Sequence, residues 1–233
     1  LLDVDERPLA AAEREVLDAG AMALTVKESE VTDMLRGLAA KPALVITDSQ
    51  AVREVAAAVP EDIRLTTFST LFARYKGDFA AQLAGAAAID TLKDGDRVLI
   101  AEGCSHHVTC DDIGRVKIPN WMKKYTGREL KFEWTQGADF PDNLEDYALV
   151  VHCGGCMLNR AEVRRRINEC ARQGVKVTNY GIVISKMQGV LERVVKGIAD
   201  AGATGSVSDT GSISDTGSIS DTGSISDTGE EGD

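Results

Sequence analysis

All three histidines and four of the five cysteines fall between Cys104 and Cys156. They form two clusters, Gly103-Cys104-Ser105-His106-His107-Val108-Thr109-Cys110 and His152-Cys153-Gly154-Gly155-Cys156. A Cys-x-x-Cys turn lets both sulfurs face one centre, and Gly154 and Gly155 remove side chains that would crowd it. Their backbone N–H groups can also point at bridging sulfides and lower the cost of gathered negative charge. Cys104, Cys153 and Cys156 with one histidine would satisfy tetrahedral zinc. The same three thiolates would hold three irons of a [4Fe-4S] cube and leave the fourth for an exchangeable ligand. The spacing therefore points to a metal without choosing which one. His106 and His152 are the side-chain candidates for the remaining position, with Glu102 behind them. Each imidazole can instead donate its N–H to a sulfide or a carried ligand. His107 reads as a loop residue, Cys110 as a spare thiol or alternative ligand, and Cys170 as a small core residue. A redox dithiol or an inert buried pair is the bland reading of Cys153 and Cys156. An odd number of cysteines without a leader argues against a disulfide framework.

Elements of an α/β protein must carry these clusters. Helix formers run from Ala10 to Ala19 with Gly20 as a stop, and Ala21–Val26 reads as a strand. Glu28–Leu38 is helical, Pro42 follows it, and Ala43–Thr47 is a short buried strand. Asp48 and Ser49 can cap a helix over Gln50–Ala58, and Arg64–Thr67 is the next strand. Phe79–Leu92 is helical, and the turn Lys93-Asp94-Gly95-Asp96 marks a boundary. Strands follow at Arg97–Ala101, Leu130–Trp134 and Tyr147–Val151, then a helix over Arg160–Arg172, a strand over Val175–Thr178 and a last helix over Ile182–Ile198. Alternating single helices and strands predict two consecutive small three-layer units with mainly parallel sheets. Their spans are 1–92 and 93–200. Each cysteine cluster directly follows a strand, so neighbouring strands would bring the thiols to one sheet edge, where ligands of such sheets collect. The helix Arg160–Arg172 also carries Arg160, Arg164, Arg165, Arg166 and Arg172, which read as a solvated face or as a positive field beside the site.

The residues also resemble a known family. Cys104-Ser105-His106 followed by His152-Cys153-Gly154-Gly155-Cys156 is similar to the signature of the [FeFe]-hydrogenase maturation GTPases of the HydF type. Asp111 to Pro119, Gly155 to Arg160 and Thr178 to Gly181 fit the same family. So do Val45 to Ala51 and Leu71-Phe72-Ala73-Arg74-Tyr75-Lys76-Gly77-Asp78 upstream, and the likeness covers about residues 9 to 200. The resemblance implies a dimerisation domain in residues 1–92 and an iron-sulfur domain in residues 93–200. It further implies a [4Fe-4S] cluster on Cys104, Cys153 and Cys156, at which a diiron precursor of the hydrogenase active site is assembled or carried. Apo [FeFe]-hydrogenase and companion maturation enzymes are the implied partners, a homodimer through residues 1–92 the implied assembly, and the cytoplasm the implied location. The family's GTPase module has no counterpart here, since no Gly-x-x-x-x-Gly-Lys-Ser/Thr loop occurs. GTP is thus expected to act only through a domain outside these residues, and no turnover is expected from them. An iron-sulfur lyase or dehydratase and a zinc-stabilised binding module are the competing functions.

Charge and composition set the outer limits. The chain has 233 residues with 26 basic and 37 acidic ones, a net charge of -11 that makes nucleic acid an unsuitable partner. No apolar run approaches the roughly 18 residues of a membrane span. A period-six repeat beginning at Gly205, Gly211, Gly217 and Gly223 fills much of residues 201–233, where the acidic residues number seven and basic ones are absent. One apolar residue per copy is too little to stack, so a disordered acidic tail is expected. The start at Leu1 without an initiator Met reads as a fragment or processed product, which would clip the first unit and weaken its dimer.

Overall fold

The structure, a computed structural model, describes residues 6–103 and 112–199. The acidic repeat lies outside them. Helix α1 (Glu6–Asp18) opens the first unit, followed by a short 3-10 turn at Glu28–Glu30 and α2 (Val31–Gly37). The strand expected at Ala21–Val26 does not form. That stretch has no regular structure and pairs with no described strand, and Met22 is 90% exposed. Apolar spacing without a hydrogen-bonding partner is not enough to make a sheet. Strand β1 (Val45–Thr47), helix α3 (Val52–Ala58) and strand β2 (Leu65–Thr67) follow, with β1 and β2 parallel and Val45 opposite Leu65. Val31, Val55, Val59, Ile63 and Leu65 form the core of this unit.

Helix α4 (Phe68–Lys76) has no counterpart in the sequence reading. It starts directly from β2, because the Thr67 hydroxyl accepts from Thr70 N at 3.2 Å and caps it. Asp78 caps α5 (Phe79–Ala87) by accepting from Ala81 N at 2.9 Å. Helix α5 packs on the backbone of the second sheet, with Gly85 so close that an added Cβ would lie 1.9 Å from the Val177 carbonyl oxygen.

The second sheet is wholly parallel. It comprises β3 (Arg97–Ala101), β4 (Lys131–Thr135), β5 (Leu149–His152) and β6 (Lys176–Asn179), in the order β4-β3-β5-β6. Successive residues of β3 and β5 are buried on both faces, so these strands read as continuous apolar runs. One face, with Val98, Ile100, Leu149 and Val151, packs on α6 (Ile118–Thr126) and α8 (Tyr180–Met187). The other, with Leu99, Ala101 and Val150, packs on α7 (Arg160–Arg172) through Val163, Ile167 and Cys170. This is the expected three-layer α/β plan. The single last helix expected over Ile182–Ile198 is two helices. The chain turns at Gly189 (φ 73°) before α9 (Leu191–Ala199), which leaves its own sheet and packs on β2.

Candidate functional site

The strand order creates the site. The chain passes from β3 outward to β4, then returns across β3 to β5 on its other side. The loop after β3 leads toward α6 on one face, and the loop after β5 leads to α7 on the other. Ligands of such sheets collect in the crevice outside the carboxyl ends of the strands where the order switches, here β3 and β5. Ala101 pairs with His152 in the last rung of this ladder. The clusters begin just beyond that rung, so the neighbouring strands required by the sequence argument are present.

Cys153 is half-buried directly after the end of β5. Its N–H donates to Ala101 O at 2.9 Å, and its Sγ accepts from Gly103 N at 3.1 Å and Gly155 N at 3.4 Å. Burial pushes the thiol's pKa up while these two N–H donors pull it down. Gly155 lies in the left-handed region at φ 68°, which turns the chain back so that its N–H reaches the sulfur. Gly154 faces the first turn of α4, where an added Cβ would come within 3.1 Å of Ser69 Oγ. Cys156 is also half-buried. Asn159 then caps α7 by accepting from Glu162 N at 2.8 Å. Cys104 and His106, like His107, Cys110 and Asp111, lie outside the described residues. Among the described residues no group of three His, Cys, Asp or Glu side chains is gathered as a metal site.

His152 is fully enclosed at 1% exposure. Its Nδ1 meets Cys153 O at 2.8 Å, and its buried Nε2 has no hydrogen-bond partner among the described residues. Burial, aided by the charge of Arg166, pushes its pKa down to about 4 against the pull of the Cys153 carbonyl. The imidazole is therefore neutral and braces the backbone of the cysteine turn. Glu102 is buried at the end of β3, where its carboxylate accepts from Gln136 Nε2 at 3.2 Å and Tyr180 Oη at 3.4 Å and faces Arg115 at 3.8 Å. Asp112 caps the following π-helical turn by accepting from Arg115 N at 2.7 Å.

Two further side chains bear on the turn. Arg166, read with its neighbours as a solvated face or as a positive field beside the site, is buried. It bonds Glu162 Oε1 at 2.8 Å and Gly137 O at 2.5 Å. Its spacing from Val163, Ile167 and Cys170 on α7 was the available signal. Lys76, at the end of α4, donates to the carbonyls of Gly155, Cys156 and Leu158 at 3.0, 3.1 and 2.9 Å. No local pattern reveals that contact, because α4 belongs to the other unit. Asn179 Nδ2 also donates to Ser69 O at 2.7 Å, so α4 lies along the carboxyl edge of the second sheet as a roof.

The cysteine turn thus combines two half-buried thiols, a neutral histidine brace and two backbone N–H donors to one sulfur. Comparison with known families gives two matches. Residues 7–77 match the Hydrogen maturase F dimerization domain, and residues 80–197 match the Hydrogen maturase F tetramerization domain. Comparison with curated proteins finds none that matches. The matches meet between α4 and α5 and extend from α1 to α9, the second alone covering half of the chain. On that ground the chain belongs to the hydrogen maturase F family, with a role in hydrogenase maturation.

Proposed function

We propose that the chain is an iron-sulfur scaffold and carrier, holding a [4Fe-4S] cluster through Cys104, Cys153 and Cys156 with an exchangeable fourth position. The carrying observation is the bond from Gly103 N to Cys153 Sγ at 3.1 Å, which joins the segment leading into Cys104 to the Cys-x-x-Cys turn across the crevice. The donor set fits the group. Two backbone N–H donors converge on one sulfur, as suits a thiolate of a multiply charged cluster, and hydrogen bonds to sulfur tune such clusters. When bound, the cluster supplies an open iron at which a small bridging ligand of a diiron cargo can attach. The chain's own residues do the rest. Cys153 and Cys156 present thiolates from one turn, His152 holds the Cys153 carbonyl, and Glu102 keeps a buried carboxylate at the end of β3. Residues 7–77 and 80–197, matched to dimerization and tetramerization domains, assemble copies of the chain, and apo-hydrogenase receives the cargo. We place this work in the reducing cytoplasm, where an undercoordinated iron survives. GTP hydrolysis belongs to a domain outside these residues.

Anaerobic reconstitution with iron and sulfide tests the proposal. The expected result is about four irons and four sulfides per chain, with loss of stable cluster in Cys153→Ala and in Cys156→Ala, because two thiolates do not fix a cube. Stoichiometric zinc uptake with refusal of iron and sulfide, or unchanged cluster spectra in both variants, would overturn it.

A further inference from the structure

The last residue of α4 reaches out of its own unit. Lys76 Nζ donates to Gly155 O at 3.0 Å, Cys156 O at 3.1 Å and Leu158 O at 2.9 Å. An ammonium has three N–H donors, so this carbonyl cage uses all of them. The ring of Phe72, one turn earlier on α4, lies 4.9 Å from Nζ and shields the remaining side. No carboxylate pairs with Lys76 among the described residues, where most of the ion-paired basic side chains have acidic partners on the surface. Burial works against its charge, while the thiols of Cys156 and Cys153 support it.

Ordering a lysine side chain costs much of its rotamer freedom. Three charge-assisted bonds from one ammonium offset that cost, and all three end on the turn that carries the two thiols. In a trans peptide the C=O of one residue and the N–H of the next point in opposite directions. By holding the carbonyls of Gly155 and Cys156, Lys76 therefore turns the N–H groups of Cys156 and Met157 away from itself. One side of the turn is committed to Lys76, and the shape of the other side follows.

We propose that Lys76 is a positioning residue for the Cys153–Cys156 turn, supplied by the dimerization unit, which fixes the turn's shape and lays one positive charge beside the metal centre so that its reduced form is favoured. The charge role rests on the iron-sulfur reading given above, whereas the shape role does not. The sign follows from charge. Reduction adds an electron to an already negative centre, and a fixed cation stabilises the more negative state, raising the potential. The first unit thereby acts on the metal centre of the second through one side chain.

Two measurements on the full chain separate the roles, using Lys76→Met, which keeps the apolar stem, and Lys76→Arg, which keeps the charge. Without metal, amide exchange read by mass spectrometry over residues 153–159 is expected to be roughly tenfold faster in Lys76→Met, with the rest of the chain unchanged and Lys76→Arg intermediate. Equal exchange in wild type and Lys76→Met overturns the shape role. After anaerobic reconstitution with iron and sulfide, the midpoint potential of Lys76→Met is expected to shift to a more negative value, with Lys76→Arg close to wild type. Equal potentials in all three chains overturn the charge role. A wild-type chain that takes up no iron and sulfide overturns the functional reading together with the charge role, and the exchange result still decides the shape role.

Discussion

Arg166 occupies a place that a charged side chain rarely takes. Its side chain is 1% exposed, so its charge must be met locally, and Glu162 Oε1 at 2.8 Å and Gly137 O at 2.5 Å meet it. Glu162 also bonds Arg165, and these two arginines hold its pKa down to about 2 from the ordinary 4.5. A carboxylate with a depressed folded pKa stabilises the protein fully above its ordinary pKa. That contribution fades as pH falls from about 4.5 to about 2. Glu162→Gln is therefore expected to lose on the order of 2 kcal/mol at pH 7 in urea unfolding, since it leaves a buried guanidinium against a neutral amide. The difference from wild type should narrow as pH falls through that window. A constant difference down to the lowest folded pH would remove the carboxylate charge from the account. At this scale the thiol pair and the histidine beside it were legible, because Cys-x-x-Cys is a local pattern that follows a strand. The burial of Arg166 was less so, because five arginines on one helix read as a solvated run until their phase against Val163, Ile167 and Cys170 is considered.

The elements divide by what specifies them. β3 and α7 match the sequence reading end to end, since a run buried on both faces and an Asn-capped amphipathic helix are complete signals in themselves. Helix α4 was missed because its cap, Thr67, is also the last residue of a strand, leaving no loop between the two elements. The seating of α5 is likewise invisible locally. Its alanine-rich face suits any apolar partner, but Gly85 brings it onto the backbone of β6, where an added Cβ would lie 1.9 Å from Val177 O and 2.5 Å from Val177 C. A backbone group cannot rotate aside as a side-chain end can. Gly85→Ala is thus expected to cost about 3 kcal/mol despite alanine's better helix propensity. Gly37, at the end of α2, is the matched control. Nothing lies within 4 Å of its added Cβ, and Gly37→Ala should be neutral or stabilising by up to about 1 kcal/mol. Urea midpoints of the two variants check both signs, and a Gly85→Ala midpoint at or above wild type would contradict the close approach.

Across the whole molecule a helix of the second unit completes the first. Helix α5 packs on β6 of the second sheet, and α9, at the far end of the described chain, returns to β2 of the first. Reading elements in chain order assigns α9 to its nearest strand, and hydrophobic period alone carries no information about such a return. Arg193 of α9 secures it. Its guanidinium, 15% exposed, donates to Ala56 O at 2.5 Å, Val59 O at 2.6 Å and Pro60 O at 2.8 Å, satisfying the carbonyls where α3 ends. Arg74 of α4 donates in turn to Ile198 O at 2.9 Å. The first unit then has no complete core alone, because removing α9 uncovers Leu65. The described residues should therefore unfold in one calorimetric transition, with the van't Hoff enthalpy equal to the calorimetric one. Arg193→Ala should lower that single transition by roughly 4–8 °C, as expected when about 2 kcal/mol of charge-assisted capping is lost from a chain of this length. Removing residues 201–233, which changes the net charge but no described contact, should leave it in place. Two separated transitions in the parent chain, or a variant in which only the first unit melts early, would mean that α9 does not bind the units into one cooperative body. The cysteine turn would then have a roof that opens independently of its floor.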